Sequence, residues 1–460
     1  MNPNLKKFKV IPSVVEANKE STVTVKAIDG IFKFYDDITY EVKFIPQEES
    51  DVPHNDTMSL EGFNENRKSI FATPENGELK LTYFFGNEQE WKIRIRVKNP
   101  SEYEKYQNPI YKKYEPFWGW LINAPKEGIT LSVYSLEPDL YKRRALKGDL
   151  HIHSNASDGD ESPEMVAASY RKAGFDFMAL TDHNTFNTSK NAKEKLSFLG
   201  ENFEILHGEE IHNSTDDCYA GYFHLVHIGG KYSINEIYQN NPERIEKEIA
   251  ELDGKVEVPE NVDKKEYLGR VWVKKEVEKA GGFLIFPHPY WNIGFYHIQT
   301  SMAKAILRNK LCDAFEVIGG CKPYANNMQV ELYHSLRAEG VEMPVVGSSD
   351  SHSVLRSNTH FNKQSTIAFT ENGDILKAIA DGYSVAVEAL PGENVRVYGN
   401  FRLMKYVHFL LETYFMLHNE LCFASGLFLD DYIHGDDSAK ELVLSIEKRI
   451  TNLEKEFFGR

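Results

Sequence analysis

The first 135 residues carry a pattern in which apolar and polar side chains alternate. Gly, Asn, Asp or Pro residues separate the four stretches STVTVKAI (21–28), ITYEVKFI (38–45), ELKLTYFF (78–85) and WKIRIRVKN (91–99). Alternation with a period of two buries one face of a strand and exposes the other. The pattern predicts an N-terminal β-sandwich domain over residues 1–135, and it contains no catalytic signal.

From about residue 147, helical segments alternate with short apolar runs that end in polar residues. SPEMVAASYRKAGFDFMALTDHN (162–184) begins with Ser162 as a helix N-cap and Pro163 in the first turn, and Gly174 ends the helix. The apolar run that follows ends at Asp182 and His183. Three later segments repeat this order and end at His288, at Glu316, and at Asp350 with His352.

This repeated order of helix, glycine, strand and polar residue is typical of parallel strands joined by helices. We count seven candidate strands, which begin near residues 149, 175, 203, 223, 283, 314 and 344. They predict an α/β domain over residues 147–390, and the periodicity fits a closed barrel or an open sheet. We expect the charged insertion at about 231–270 to be a solvated excursion, with a lid as the alternative. Residues 395–460 predict helices that pack on the barrel or the sandwich.

Composition and charge narrow the classes of function. The hydrophobic fraction of 41% and the charged fraction of 27% are typical of a globular protein. A net charge of −16 disfavours nucleic acid as the main partner. The apolar stretch 401–417 is interrupted by Arg402, Lys405, His408 and Glu412, and it therefore predicts a buried helix and no membrane partner. The N-terminus lacks a signal-like apolar run and the four cysteines lack C-x-x-C spacing, so we expect a cytoplasmic protein.

Histidines and carboxylates concentrate at the predicted strand ends. Twelve of the 16 histidines lie between residues 151 and 360. His151 and His153 point to one face of their strand, as does Asp149. HGEEIHNS (207–214) adds Glu209 or Glu210, and YFHLVHIGG (222–230) adds His224 or His227. Imidazole and carboxylate ligands suit Zn²⁺, Mn²⁺ or Fe²⁺, and about nine candidates predict two to three divalent metal ions.

These motifs resemble those of the PHP (polymerase and histidinol phosphatase) family. The matching stretches span residues 149 to about 352, and in the family's order they are DLHIHSNASDG, ALTDHNT, GEEI, HLVHIGG, FPHP, FEVIGG and GSSDSH. The sandwich and the helical tail are similar to the CehA/McbA-like branch of that family. The resemblance implies a distorted seven-stranded (β/α) barrel, with the N-terminal β-sandwich domain before it and the helical segment after it.

The resemblance also implies a trinuclear metal centre with nine ligands. His151, His153, Glu210 and Asp350 would bind the first ion. Glu210 would bridge to a second ion, held by His224 and His288, and Asp158, His183 and His352 would bind the third. The family's pattern selects Glu210 over Glu209 and His224 over His227, which should face away. His212 is a reserve ligand, and His207, His297, His334 and His360 are expected to be structural or surface residues.

Adjacent divalent ions acidify a bound water, so we expect a metal-bound hydroxide to attack phosphorus or a polarised carbonyl. Asp149, Asp182 and Glu316 are expected to orient ligand imidazoles, and Lys322 and Arg356 to contact the substrate. The positive charge of the ions favours a small anionic substrate. Our preferred hypothesis is a metal-dependent phosphoesterase for a phosphomonoester or small phosphodiester. The alternatives are a carboxylester or carbamate hydrolase with the same metals, and a non-catalytic metal- or ligand-binding protein.

Overall fold

The computed structural model describes residues 3–28, 33–48, 68–106, 128–212, 223–292, 294–356 and 359–460. The chain forms two compact units. One contains Met1–Arg143, His408–Leu417 and Thr451–Arg460. The other contains Arg144–Val407 and His418–Ile450, and it carries every residue of the predicted metal centre.

The first unit contains two sheets that share one apolar core. Its strands are β1 (Phe8–Ile11), β2 (Val14–Glu16), β3 (Lys19–Ala27), β4 (Tyr40–Pro46), β5 (Ile70–Ala72), β6 (Glu78–Phe85), β7 (Gln89–Val97) and β8 (Ile129–Leu136). They pair in the orders β1-β3-β6 and β2-β8-β7-β4-β5. Two short helices are α1 (Pro100–Tyr103) and α2 (Pro138–Tyr141). Alternate side chains of both sheets, such as Val23, Leu81 and Ile93, are buried together, as the period of two predicts.

The second unit is built on one ten-stranded sheet. Its strands are β9 (Arg144–Asp149), β10 (Phe177–Leu180), β11 (Glu204–His212), β12 (His224–Gly229), β13 (Gly282–Phe286), β14 (Ala314–Ile318), β15 (Val345–Gly347), β16 (Gln364–Thr370), β17 (Ser384–Glu388) and β18 (Arg396–Gly399). The strand order is β15-β14-β13-β12-β11-β10-β9-β16-β17-β18. The sheet curls until the hydroxyl of Thr366 donates to Gly347 O (2.9 Å) and that of Ser384 donates to Val345 O (2.8 Å). These bonds join β15 to β16 and β17, so the barrel is nearly closed.

Helices follow most of these strands. They are α3 (Pro163–Lys172), α4 (Ser189–Lys195), α5 (Ile234–Asn240), α6 (Pro242–Leu252), α7 (Lys264–Ala280), α8 (Thr300–Arg308), α9 (Pro323–Ala338) and α10 (Ile375–Ala380). The N-cap prediction for α3 is met, because Ser162 Oγ accepts a hydrogen bond from Met165 N (3.3 Å). Gly174, just past its end, has φ +85°, a conformation that glycine adopts without strain.

The interior of the barrel is apolar below the predicted site. Leu146, Phe177, Val226 and Ile285 contribute to one buried cluster there. Phe177 leaves no room at Gly148, where an added Cβ would lie 2.0 Å from its ring. A packed interior confines polar chemistry to the ends of the strands.

Strands lie at or near all seven predicted positions, but the first one ends at Asp149, where it was expected to begin, so His151 and His153 follow the strand and do not share one of its faces. The sheet also differs from the predicted seven-stranded β/α barrel in two respects. β16, β17 and β18 extend it by three antiparallel strands, and β12 runs antiparallel to both of its neighbours. The direction of β12 could not be predicted, because hydrophobic periodicity records burial and carries no information on strand direction. The insertion is also not the solvated excursion that was predicted. It forms α5, α6 and the start of α7, and Ile245 and Ile249 of α6 belong to the core.

The C-terminal segment contains β18 and three helices, which are α11 (Phe401–Glu412), α12 (Tyr414–Ile433) and α13 (Ala439–Phe458). Among the described residues, no helix combines the length and the apolar character that crossing a membrane requires.

Candidate metal centre

The predicted metal ligands gather at one edge of the sheet of the second unit. His151 and His153 follow β9, His183 follows β10, and His288 follows β13, while Asp350 and His352 follow β15. Glu210 lies near the carboxyl end of β11. His224 is the first residue of β12 and pairs with the last residue of β11. Because β12 is antiparallel, its amino end lies at the same edge as the carboxyl ends of the parallel strands.

Ligand atoms of three buried residues and of the half-buried Asp350 converge on one point. The Nε2 atom of His151 lies 3.2 Å from Glu210 Oε2 and 3.4 Å from Asp350 Oδ1. The Nε2 atom of His153 lies 3.3 Å from Glu210 Oε2 and 3.2 Å from Asp350 Oδ1. Tetrahedral ligands at about 2.0–2.1 Å from a metal ion are roughly 3.4 Å apart. The group therefore has the spacing of a metal site.

The two carboxylate oxygens of Glu210 face different histidines. Oε2 faces the first group and also lies 3.4 Å from His183 Nε2. Oε1 lies 2.8 Å from His224 Nδ1 and 3.2 Å from His288 Nε2. His224 and His288 form a further group with His297, in which one ligand atom of each lies within 4.8 Å of the others. Glu210 thus stands between two groups of possible ligands, as a bridging carboxylate does.

Asp158 lies at the exposed side of the site, close to the two remaining predicted ligands, His183 and His352. Its Oδ2 lies 3.3 Å from His352 Nε2 and 3.9 Å from His183 Nε2, and its Oδ1 lies 3.6 Å from His153 Nδ1. The side chain of Asp158 is 55% exposed and that of His352 is 40% exposed. The group of mutually close atoms here contains His153, Asp158 and His183, and His352 reaches it through Asp158.

Two residues of the cluster have unusual backbone conformations. Asp350 has φ +48° and His288 has φ +25°, values that cost energy in residues with a Cβ atom. Such conformations concentrate at functional sites, where the surrounding structure holds them in place.

The electrostatics of the cluster call for positive charge. Burial lowers the pKa of the His153 imidazole, but the adjacent carboxylates of Asp350 and Glu210 outweigh burial and raise that pKa to about 9. Burial likewise raises the pKa of the Glu210 carboxyl, yet His224 and His151 hold it well below its usual range. These opposite shifts show that the carboxylates of the cluster favour a positively charged partner beside them.

The donor set fits divalent metal ions. Within the described part of the chain, Nε2 of His151 and both ring nitrogens of His153 are buried and make no hydrogen bond. They lie near carboxylate oxygens, but the angles at these contacts are not those of a hydrogen bond. Buried polar atoms of this kind are costly unless a ligand or metal satisfies them. Nitrogen and oxygen donors without sulfur suit Zn²⁺, Mn²⁺ or Fe²⁺.

Three further carboxylates support the cluster, and one of them contacts an imidazole. Glu316 Oε2 lies 2.9 Å from His151 Nδ1, the position from which a carboxylate orients a ligating histidine. Asp149 instead accepts from the backbone N–H groups of His151 (3.2 Å) and Ser349 (3.1 Å) and from Tyr170 OH (3.0 Å). Its contacts therefore differ from the imidazole contact predicted for it.

Asp182 also departs from the prediction that it orients an imidazole. It accepts from Ser154 N (2.7 Å), Ser154 Oγ (2.8 Å) and Ser157 Oγ (2.7 Å). Since Ser157 precedes Asp158, Asp182 fixes the loop that carries Asp158. A carboxylate that follows a strand can either orient an imidazole or fix a loop, and only the three-dimensional structure distinguishes these two roles.

Two consecutive glycines allow the strands to meet closely at this edge. A Cβ atom on Gly319 would lie 2.3 Å from Glu316 Oε1, and one on Gly320 would lie 2.2 Å from Ser349 O. The GG pair in FEVIGG therefore brings the loops that carry Glu316 and Asp350 together.

The structure distinguishes between the alternative ligands, which were Glu209 or Glu210 and His224 or His227. Glu209 points away from the cluster and accepts from Ile234 N (2.6 Å) and Ser233 Oγ (2.6 Å). His227 contacts Glu209 through Nδ1 (3.0 Å) and also lies outside the cluster, as expected. The reserve ligand His212 lies 4.8 Å, ring to ring, from both His183 and His224, and it belongs to none of the three groups found among the described residues.

The other four histidines that were set aside divide into two classes. His207 contacts Gly230 O (3.1 Å), His334 is exposed and His360 is half-buried, as structural or surface residues are. His297 differs from that expectation, because it is 8% exposed and lies beside His224 and His288. Burial lowers the pKa of its imidazole to about 2, which keeps the ring neutral.

The two predicted substrate contacts do not converge on the cluster. Arg356 is exposed and donates to both oxygens of Asp160, at 2.7 Å and 2.6 Å. Lys322 is exposed and lies at the N-cap position of α9. Both residues are at the correct edge of the barrel, but neither is placed against the predicted ligands.

Replacing Glu316 by glutamine tests its role beside His151. We expect metal affinity to fall by about 10- to 100-fold, because the amide no longer holds His151 in its ligating orientation. Competition with a chromogenic chelator measures the change. Glu276→Gln is the matched control, since Glu276 is also a buried glutamate of this unit but pairs with Arg244 of α6 and Lys279 of α7. Equal affinities for the two variants would contradict the assignment.

The barrel and its cluster define a class, a mixed α/β barrel whose site suits divalent metal ions. No family model matches the sequence. Over 118 residues, 22% of the chain, it is 35% identical to the DNA polymerase/3′-5′ exonuclease PolX of Bacillus subtilis and spans 21% of that protein. PolX contains a PHP domain, and the resemblance of the chain to the PHP family is confirmed. The narrower CehA/McbA-like branch stays a prediction.

Solved structures show similarity over about half of the chain. A protein of Bifidobacterium adolescentis, described as a metal-dependent phosphoesterase, is 19% identical with a TM-score of 0.32, and the match covers 46% of this chain and 89% of that one. A two-domain protein of Bacteroides vulgatus, described as containing a PHP-like metal-dependent phosphoesterase, is 19% identical with a TM-score of 0.33. That match covers 53% of this chain and 65% of the other.

Proposed function

We propose that the chain is a metal-dependent hydrolase and that its substrate is a phosphomonoester or a small phosphodiester. One observation carries the proposal, which is the position of Glu210 between two groups of histidines. Its Oε2 lies 3.2 Å from His151 Nε2 and its Oε1 lies 2.8 Å from His224 Nδ1. A carboxylate that serves two groups at once is the central element of a site for adjacent divalent ions.

Each polar residue has a distinct task in this proposal. His151, His153, Glu210 and Asp350 would hold the first ion, and His224 and His288 would share Glu210 with the second. Asp158, His183 and His352 would hold a third ion at the exposed side. When bound, such ions acidify a coordinated water and polarise the group that is attacked.

Supporting residues keep these ligands in position. Glu316 orients the imidazole of His151, while Asp149 fixes its backbone and that of Ser349. Asp182 holds the loop before Asp158 through Ser154 and Ser157. With so many ligands fixed before binding, little ordering is left to do when ions and substrate arrive.

Charge favours an anionic substrate. The predicted ligands include three carboxylates, Asp158, Glu210 and Asp350, and two or three divalent ions more than balance them. A locally positive site attracts an anion even in a chain whose formal net charge is −16. A phosphate ester meets this requirement, and its non-bridging oxygens suit two adjacent ions.

A specific observation supports a second candidate, a carboxylester or carbamate hydrolase. Arg356 donates to Asp160 at 2.7 Å, and Lys322 lies at the N-cap position of α9, so neither cation forms a phosphate clamp beside the ligands. A neutral ester would need no such clamp. If the substrate is a phosphate ester, the metal ions alone would have to supply the positive charge that binds it.

The experiment uses substrates with one leaving group, so that only the attacked centre differs. Protein purified without chelators is analysed for metal content and then assayed with 4-nitrophenyl phosphate, bis(4-nitrophenyl) phosphate, 4-nitrophenyl acetate and a 4-nitrophenyl carbamate. We expect two to three equivalents of metal and the highest kcat/KM with a phosphate ester. A higher kcat/KM with the acetate or carbamate would select the second candidate. Metal binding without turnover of any of them would contradict a hydrolase of either kind.

A further inference from the structure

A turn after β13 brings His297 back beside His288. Trp291 N donates to His288 O (3.0 Å), His297 N donates to Trp291 O (2.8 Å), and Ile298 N donates to Pro289 O (3.0 Å). Asn292 and Tyr296 form an isolated antiparallel bridge between the two limbs of the turn. The position of His297 is therefore set by backbone hydrogen bonds on both sides.

The side chain of His297 enters the buried side of the metal centre. Its ring lies 4.7 Å from that of His224 and 5.7 Å from that of His288. One ligand atom from each of these three residues lies within 4.8 Å of the others. Tetrahedral ligation separates donor atoms by roughly 3.4 Å, so small side-chain rotations bring the three nitrogens into contact with one ion.

We propose that His297 is a ligand of the ion that His224, His288 and Glu210 hold, so that this ion has four protein ligands. The inference rests on the proposed function, because the ion belongs to the same centre. Three imidazoles and one carboxylate oxygen fill the tetrahedral positions that zinc prefers, whereas three protein ligands would leave one open. With a fourth protein ligand, this ion would have no open coordination position.

Burial also differs between the His297 side and the Asp158 side of the centre. His224, His288 and His297 are 7%, 2% and 8% exposed, whereas the side chains of Asp158 and His352 are 55% and 40% exposed. A substrate that comes from solvent therefore meets the Asp158 side first. The ion at His297 stabilises the site and Glu210, and the open coordination positions for water and substrate lie at the exposed side.

The competing explanation is that His297 only packs, since its ring also lies 5.7 Å from that of Trp291. Two variants separate the roles. His297→Phe keeps an aromatic ring in the same place but cannot ligate, and His297→Ala opens space for an added imidazole. His334→Ala is the control, because His334 is an exposed histidine on α9 of the same unit.

Metal content and the visible spectrum of Co²⁺-loaded full-length protein are the readouts. We expect both His297 variants to lose one equivalent of metal or to bind it more than about 100-fold more weakly. Mutating a residue that only contacts a metal ligand costs at most about 100-fold in metal affinity. We also expect added imidazole to restore the Co²⁺ spectrum of His297→Ala but not that of His297→Phe. His334→Ala should match the unmodified chain.

Other outcomes would overturn the inference in distinguishable ways. If His297→Phe keeps all its metal with unchanged affinity, the ring only packs. If His297→Ala loses metal and imidazole does not restore it, the loss is structural. If the unmodified chain binds less than one equivalent, even after metal is added back, the proposed function itself fails. Circular dichroism of each variant establishes that folded proteins are compared.

Discussion

Replacing Glu210 by glutamine is expected to reduce the metal content to one equivalent or less and hydrolysis by about 10³-fold or more. The change keeps the size of the side chain and removes one carboxylate oxygen with its charge. Oε1 faces His224 at 2.8 Å and Oε2 faces His151 at 3.2 Å, so the amide can serve at most one of the two groups. Elemental analysis and the 4-nitrophenyl substrates measure the two effects.

Glu209→Gln is the matched control, because Glu209 is the preceding residue of β11 and is equally buried. Its carboxylate accepts from Ile234 N and Ser233 Oγ at the start of α5, both at 2.6 Å. We expect this variant to lose about 1–3 kcal/mol of stability and to keep its metal. If instead Glu209→Gln loses metal and Glu210→Gln keeps it, the assignment of Glu210 is wrong.

The sequence specified the site better than it specified the fold around it. The strand-end positions of His183 and Asp350 could be inferred because a glycine that ends a helix and then an apolar run precede each of them. The choice of Glu210 over Glu209 needed the family's pattern. Either residue fits β11, since the strand is buried on both faces there. Burial of both glutamates removes the alternation that would have distinguished them.

His297 could not be placed from the sequence for a related reason. It lies in an irregular turn, where no period relates position to direction, and its approach to His288 depends on backbone hydrogen bonds that have no sequence signature. The same limit applies to β12, whose antiparallel direction brings His224 to the site. A signal did exist for β16 and β17, since QSTIAFT (364–370) and SVAVE (384–388) are rich in β-branched or apolar residues.

Replacing Arg171 by leucine is expected to lower the free energy of unfolding of the barrel unit by about 3–5 kcal/mol. Arg171 lies on α3, and its buried guanidinium donates to Glu447 on α13 through Nε (3.1 Å) and Nη2 (2.6 Å). Leucine would leave the Glu447 carboxylate buried without that cation. Asp176, which Arg171 also contacts at 3.2 Å, would keep His418 at 2.8 Å. The loss therefore falls mainly on Glu447.

Arg308→Leu provides the comparison, because Arg308 also makes a two-pronged contact with a glutamate of the same unit. It donates to Glu339 at 2.9 Å and 3.0 Å, but the two side chains are 45% and 41% exposed. A solvated pair contributes about 0–1 kcal/mol, so its loss should barely change Tm. Thermal melts of the metal-free proteins should place Arg171→Leu on the order of 10 °C lower. Adding Glu447→Leu should recover part of that loss, because it removes the carboxylate that has lost its guanidinium. Equal melting temperatures for the two single variants would show that solvent or rearrangement neutralises Glu447 and that the buried pair does not hold α13 against α3.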